Sequence, residues 1–136
     1  MVRKPISWIL EFTSKLPNEK EKIKCLQDNG VVPIKQILHY CYHPNVKWLL
    51  PEGDPPYIPS SDASETDLYK ATSKLYLFID GGHPTLNQVK REAMFIEMLQ
   101  SILPEDAKLM LCVKDKKLPY EGLNADIVKK AFPDIF

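Results

Sequence analysis

Cysteine is scarce in this chain of 136 residues. Cys25, Cys41 and Cys112 are too few and too scattered for a disulfide framework, and their odd number fits reduced, buried thiols in a cytoplasmic setting. Glycine is scarcer than proline, five against twelve, which predicts short elements punctuated by proline. No apolar run approaches the roughly 20 residues that span a bilayer. The opening Met1-Val2-Arg3-Lys4-Pro5 has the basic end of a signal peptide, but Ser7, Glu11 and Thr13 break the apolar run behind it, so none is expected. An excess of one charge is also missing: 18 basic and 18 acidic residues give zero net charge, which argues against strong non-specific nucleic-acid binding. There are no internal repeats, no low-complexity tracts and no convincing strand-length alternation.

What the sequence does have is helical periodicity. Its 44% hydrophobic and 26% charged residues are those of a globular chain, and its length fits one domain over residues 1–136 with chain enough for a core. Pro5 suits a first helical turn, followed by an apolar stripe of Ile6, Ile9, Leu10 and Phe12 that ends near Leu16-Pro17. Asn18 with Glu21 makes a capping box for a second helix, which runs through Ile23, Cys25 and Leu26 to a stop at Gly30. Pro33 opens a third, carrying Ile34, Ile37, Leu38 and Cys41 and ending at His43, because Pro44 follows. Residues 51–63, with four prolines in 51–59, form the one clear loop. Ser64 and Asp67 then cap a helix over Leu68, Ala71, Leu75, Phe78 and Ile79 as far as Gly81-Gly82. Lys74–Asp80 also reads as a strand, but the helical pattern runs straight through it. Thr85 with Gln88 caps the longest helix, which carries Leu86, Val89, Phe95, Ile96 and Leu99 up to Leu103. Pro104-Glu105-Asp106 opens another, with Leu109, Met110 and Val113, and a last one runs from Leu123 or Asn124 to Ala131. The expected fold class is all-α, a compact multi-helix single domain with Ile9, Leu38, Leu75, Phe95, Ile96, Leu109 and Val128 in one core.

Charge is uneven beneath the neutral total. Residues 1–50 carry +4 and residues 51–80 carry −4, while residues 108–130 hold six basic side chains against three acidic ones. There a basic loop leads into a glycine and a helix start at Gly122-Leu123-Asn124, where free N–H groups and the helix dipole suit a phosphate. Lysines beside it add counterion-releasing charge. The same stretch also reads as a solvated surface with ordinary C-terminal lysines. His39 and His43 share a helix face, but Cys41 points away and the chain has no C-x-x-C or H-E-x-x-H, so histidines bordering a core are expected rather than a metal site. Gly81-Gly82-His83 lacks a G-x-x-x-x-G-K context and reads as a helix stop followed by a new start. No nucleophile elbow or carboxylate pair singles out a catalytic group. No enzyme, cofactor or metal is expected.

Several stretches carry a resemblance. Ile9-Leu10-Glu11 through Lys20-Glu21-Lys22-Ile23, then Ile34-Lys35-Gln36-Ile37-Leu38-His39-Tyr40-Cys41-Tyr42 with its Trp48-Leu49-Leu50-Pro51 exit, and the ending from Ala125-Asp126-Ile127 to Phe136 resemble the N-terminal helical DNA-binding domain of phage ATP-dependent DNA ligases of the T-even type. The resemblance covers most of the chain in order and length. It implies an all-helical domain that grips duplex DNA across the minor groove and, in the T-even enzymes, also engages the sliding clamp. The nucleotidyltransferase signature K-x-D-G is absent, since Lys114-Asp115-Lys116-Lys117 does not match it, so ligation by this chain alone is not expected. Leu118-Pro119-Tyr120-Glu121-Gly122 is longer and richer in proline than the family's tight turn, and Asp67–Asp80 lacks a matching clamp motif.

The resulting expectation is a non-enzymatic, phage-type accessory protein of the host-cell cytoplasm, with no membrane role. It binds duplex DNA or a replication protein such as a sliding clamp or a ligase catalytic subunit. Lys114, Lys116, Lys117 and Lys129 are the expected phosphate contacts, Tyr120 lies along the sugar backbone, and Gly122 and Asn124 present a helix start. One alternative is a protein-interaction adaptor that keeps the fold but not DNA binding, favoured by the zero net charge and the acidic, proline-rich segment 51–67. Another is a virion or assembly component.

Overall fold

Helix boundaries in this chain follow local capping chemistry. The computed structural model describes residues 4–59 and 67–135. Over these it contains α1 (Ile6–Ser14), α2 (Glu19–Asp28), α3 (Val32–Tyr42), α4 (Leu68–Ala71), α5 (Gln88–Ser101), α6 (Pro104–Lys114) and α7 (Ala125–Ala131), with 3-10 segments at Thr72–Phe78 and Pro133–Ile135. The fold is all-α, as the periodicity predicts. Asn18 caps α2 by accepting from Glu21 N–H at 2.9 Å, and prolines open α3 and α6, where a missing N–H costs nothing. The α3 helix ends before His43, whose extended backbone precedes Pro44.

The α1 helix packs on α2 and α6, α2 on α7, α3 on α6, and α5 on α6, so α6 lies at the centre. Ile9, Leu38, Leu75, Phe95, Leu109 and Val128 are all buried in one cluster, as expected. Ile96 is not: it is half-buried and lines a cavity against residues 50–56. Two further stripe assignments are corrected. Phe12 is 48% exposed and stacks on Trp8, and Val89 is 78% exposed in the first turn of α5.

The segment before Gly81-Gly82 departs most from expectation. Asp67 caps it by accepting from Lys70 N–H, but α-geometry lasts only to Ala71. The Thr72 and Ser73 hydroxyls donate to the carbonyls three residues back, Tyr69 and Lys70, at 2.9 Å each, and such local bonds compete with the helical ladder. The chain tightens into a 3-10 segment, and Ile79 is extended and bridges Trp48 antiparallel. The strand alternative over Lys74–Asp80 therefore survives only as that single bridge. Ser64, expected as a cap, and residues 60–63 of the expected loop lie outside the described residues. The next helix starts at Asn87 rather than Thr85, because the Asn87 carboxamide accepts from Val89 and Lys90 N–H.

Candidate interaction site

The expected DNA-contact residues cluster in sequence but face different ways. Lys114, in the last turn of α6, has a side chain only 1% exposed; its ammonium pairs with Asp115 at 2.7 Å and donates to the Pro51 carbonyl at 2.8 Å. Lys116 has φ +64°, the left-handed position that closes a helix. Lys116 N–H donates to the Val113 carbonyl and Lys117 N–H to the Cys112 carbonyl, which is the Schellman pattern with lysine in place of glycine. Its ammonium donates to three carbonyls, Tyr40, His43 and Val46, at 3.2, 2.8 and 3.2 Å, so Lys116 caps the C-terminal end of α3. Burial pulls the Lys116 ammonium below the usual lysine range.

The other members serve the packing of α7. A Cβ on Gly122 would collide with the Ser14 carbonyl, so glycine is needed where the end of α1 meets the turn before α7. The Gly122 carbonyl accepts from the Lys22 ammonium at 2.9 Å. The Asn124 carboxamide accepts from Ile127 N–H at 3.0 Å, capping its own helix. Tyr120 is half-buried, and its phenol is pushed up by burial and by the nearby carboxylates of Glu11, Asp106 and Glu105. Lys117 and Lys129 are the exposed lysines of the set. Lys114 and Lys116 are thus engaged internally, which leaves Lys117 and Lys129 as the lysines of the set that face solvent.

His39 and His43 do share a face, with ring centroids 4.8 Å apart, and His39 Nδ1 lies 2.7 Å from the Ile135 carbonyl oxygen. Cys41 is buried beside them, its thiol pushed up to about 12 by desolvation. Gly82 packs against the Tyr76 carbonyl, and α5 begins only at Gln88, so the glycine pair does not cradle a helix start.

Sequence reasoning missed Arg91. It is buried on α5 and donates to the Leu77, His83 and Leu86 carbonyls and to the Gln88 side chain, tying the 77–88 connection to the helix. Its signal was compositional: Arg3 and Arg91 are the only arginines in a lysine-rich chain, and only a guanidinium supplies donors in a fixed fork.

Two exposed features remain. On α1, Trp8 and Phe12 stack at 5.2 Å with the Lys4 ammonium 4.8 Å from the Trp8 ring centre. Between the α4/3-10 segment and α5 runs an open groove of about 640 Å³. Half-buried Met94 and Met98 supply most of its apolar surface, over a floor of buried Ala71, Leu77 and Phe78. Lys70 and Lys74 stand on one bank, and Glu97 and Gln100 on the other.

Among the described residues no helix is long and apolar enough to cross a membrane, and no three His, Cys, Asp or Glu side chains stand where they could share a metal ion. No curated protein and no solved structure matches the chain. A family model does match, across residues 9–120, and by that match the chain belongs to the family of unknown function DUF6433.

Proposed function

We propose that this chain is a non-enzymatic interaction domain, an adaptor that binds a protein partner through a helical scaffold like that of the phage ligase N-terminal domain. The observation that carries the reading is the internal use of Lys114 and Lys116. Both ammonium groups are held by acceptors of the protein itself, and moving them to phosphates would take the lysine donors from the Pro51 and Val46 carbonyls and leave the Tyr40 and His43 carbonyls to Trp48 Nε1 and Val46 N–H alone. The zero net charge agrees with this, because duplex affinity rests on released counterions. The groove and the Trp8–Phe12 stack supply apolar surface of the kind partners bury.

Salt-titrated binding to nicked duplex, intact duplex and single-stranded DNA tests the reading. The adaptor predicts no measurable duplex binding at about 50 mM salt. Sequence-independent binding with a log–log salt slope near −3 would correspond to about three neutralised phosphates. That result would overturn the adaptor and restore the duplex-DNA reading.

A further inference from the structure

We infer that the groove between the α4/3-10 segment and α5 is the partner-docking surface, and that its occupant is an amphipathic helix of another protein with carboxylates along one flank. This inference rests on the adaptor reading and names the partner's chemistry. The groove is bounded by two helical segments, and a third helix laid between them completes a layer of ridges and grooves. Its apolar surface includes Met94 and Met98, one turn apart on α5 and half-buried. Methionine at such positions adapts to the apolar stripe of an incoming helix.

The charges on the banks select the occupant. Lys70 and Lys74 are exposed, four residues apart, and neither forms an ion pair with any described residue. Glu97, across the groove, is also exposed and outside every ion pair. Elsewhere on the surface Lys15, Lys35, Lys108 and Lys130 each hold a carboxylate of the chain, while exposed Lys20, Lys24, Lys90 and Lys117 share with Lys70 and Lys74 the lack of an ion pair to any described residue. A helix with acids one turn apart on the lysine side, and a neutral or basic residue facing Glu97, satisfies both banks. Acids on the Glu97 side would meet like charge, so the orientation of the bound helix is set as well.

Three 18-residue peptides test this. They share one leucine stripe at i, i+3, i+4 and i+7 and carry Glu, Gln or Lys on the flank that meets Lys70 and Lys74. Binding to the full chain is read by fluorescence anisotropy, and the site is mapped by backbone amide shifts. The Glu-flanked peptide is expected to bind at least tenfold more tightly than the Lys-flanked one and to shift amides in residues 70–78 and 94–101. In the Lys70→Glu/Lys74→Glu double variant the order of the peptides reverses. Both lysines are solvent-exposed, so the variant should keep the parent melting temperature, and that is checked first. Equal binding of the three peptides, shifts confined to the Trp8–Phe12 face, or no binding up to millimolar peptide would each overturn the docking assignment. Any of these with duplex binding still absent leaves the adaptor standing and removes only this groove, whereas duplex binding in the salt titration removes the adaptor itself.

Discussion

Lys116 occupies a backbone position where glycine is usual, and a side chain there costs about 1 kcal/mol relative to glycine. The carbonyls of Tyr40, His43 and Val46 offset that cost by accepting from its ammonium. The two effects separate by mutation. Lys116→Ala keeps the strained backbone and loses the donor, and is expected to cost about 2–3 kcal/mol, in the range for a hydrogen-bonded charge removed from neutral partners. Lys116→Gly loses the same donor but relaxes the backbone, so it should cost about 1 kcal/mol less. Urea unfolding measures both; equal losses under about 0.5 kcal/mol would refute the capping role. From sequence, Lys116 reads as one of six basic side chains in residues 108–130 and as an expected phosphate contact, not as a cap. Linear spacing carries no information on which way an ammonium turns. The readable signal was indirect: α6 has no glycine at its end, so another residue must take the left-handed position, and α3 ends at a proline with carbonyls to satisfy.

At the level of elements, the sequence was legible at several locally capped ends, although Asn87 rather than the expected Thr85 caps α5. Asn18 and Asn124 cap through side-chain bonds three residues ahead, and Pro33 and Pro104 open their helices as predicted. It was illegible where tertiary contacts outvote periodicity. The stretch from Thr72 to Ile79 keeps a helical apolar pattern, yet Arg91 captures the Leu77 carbonyl, and Leu49 N–H captures the Phe78 carbonyl at 2.8 Å. Those carbonyls are then lost to an α-ladder. The start of α7 is a second tertiary decision. From sequence Gly122 reads as part of a helix start that suits a phosphate; in the fold its missing side chain also admits the Ser14 carbonyl of α1. Gly122→Ala should therefore push the turn before α7 away from the end of α1 and cost about 1–3 kcal/mol, the usual range for overpacking. Hydrogen exchange should show faster opening of residues 125–131, and unchanged stability would mean that the contact between Ser14 and Gly122 relaxes freely.

For the molecule as a whole, the central position of α6 makes Asp106 the clearest electrostatic lever on stability. Asp106 is buried in the first turn of α6 and accepts from Ser7 N–H at 3.0 Å, tethering α1 to the helix on which α3 and α5 also pack. Desolvation raises its carboxyl above the usual aspartate value, and the bonds from Ser7 oppose this only in part. The sign follows from linkage. In the window between the unfolded value near 3.8 and the raised folded value, the folded chain holds a proton that the unfolded chain has released. Stability from this group therefore falls as pH rises through the window and is flat above it. Asp134 has the opposite sign: its bond from Lys35 lowers it, so its contribution is lost only below about 3.8, on further acidification. The windows do not overlap, which makes the test clean. Asp106→Asn keeps an acceptor for Ser7 N–H but does not titrate. Urea unfolding of both chains between pH 7 and pH 4 should show the parent gaining on the variant as pH falls, by about 1.4 kcal/mol for each unit by which the carboxyl is raised. Parallel curves would mean that Asp106 reaches water in the folded chain, and that α1 is held to α6 by its apolar face of Ile6, Ile9 and Leu10 alone.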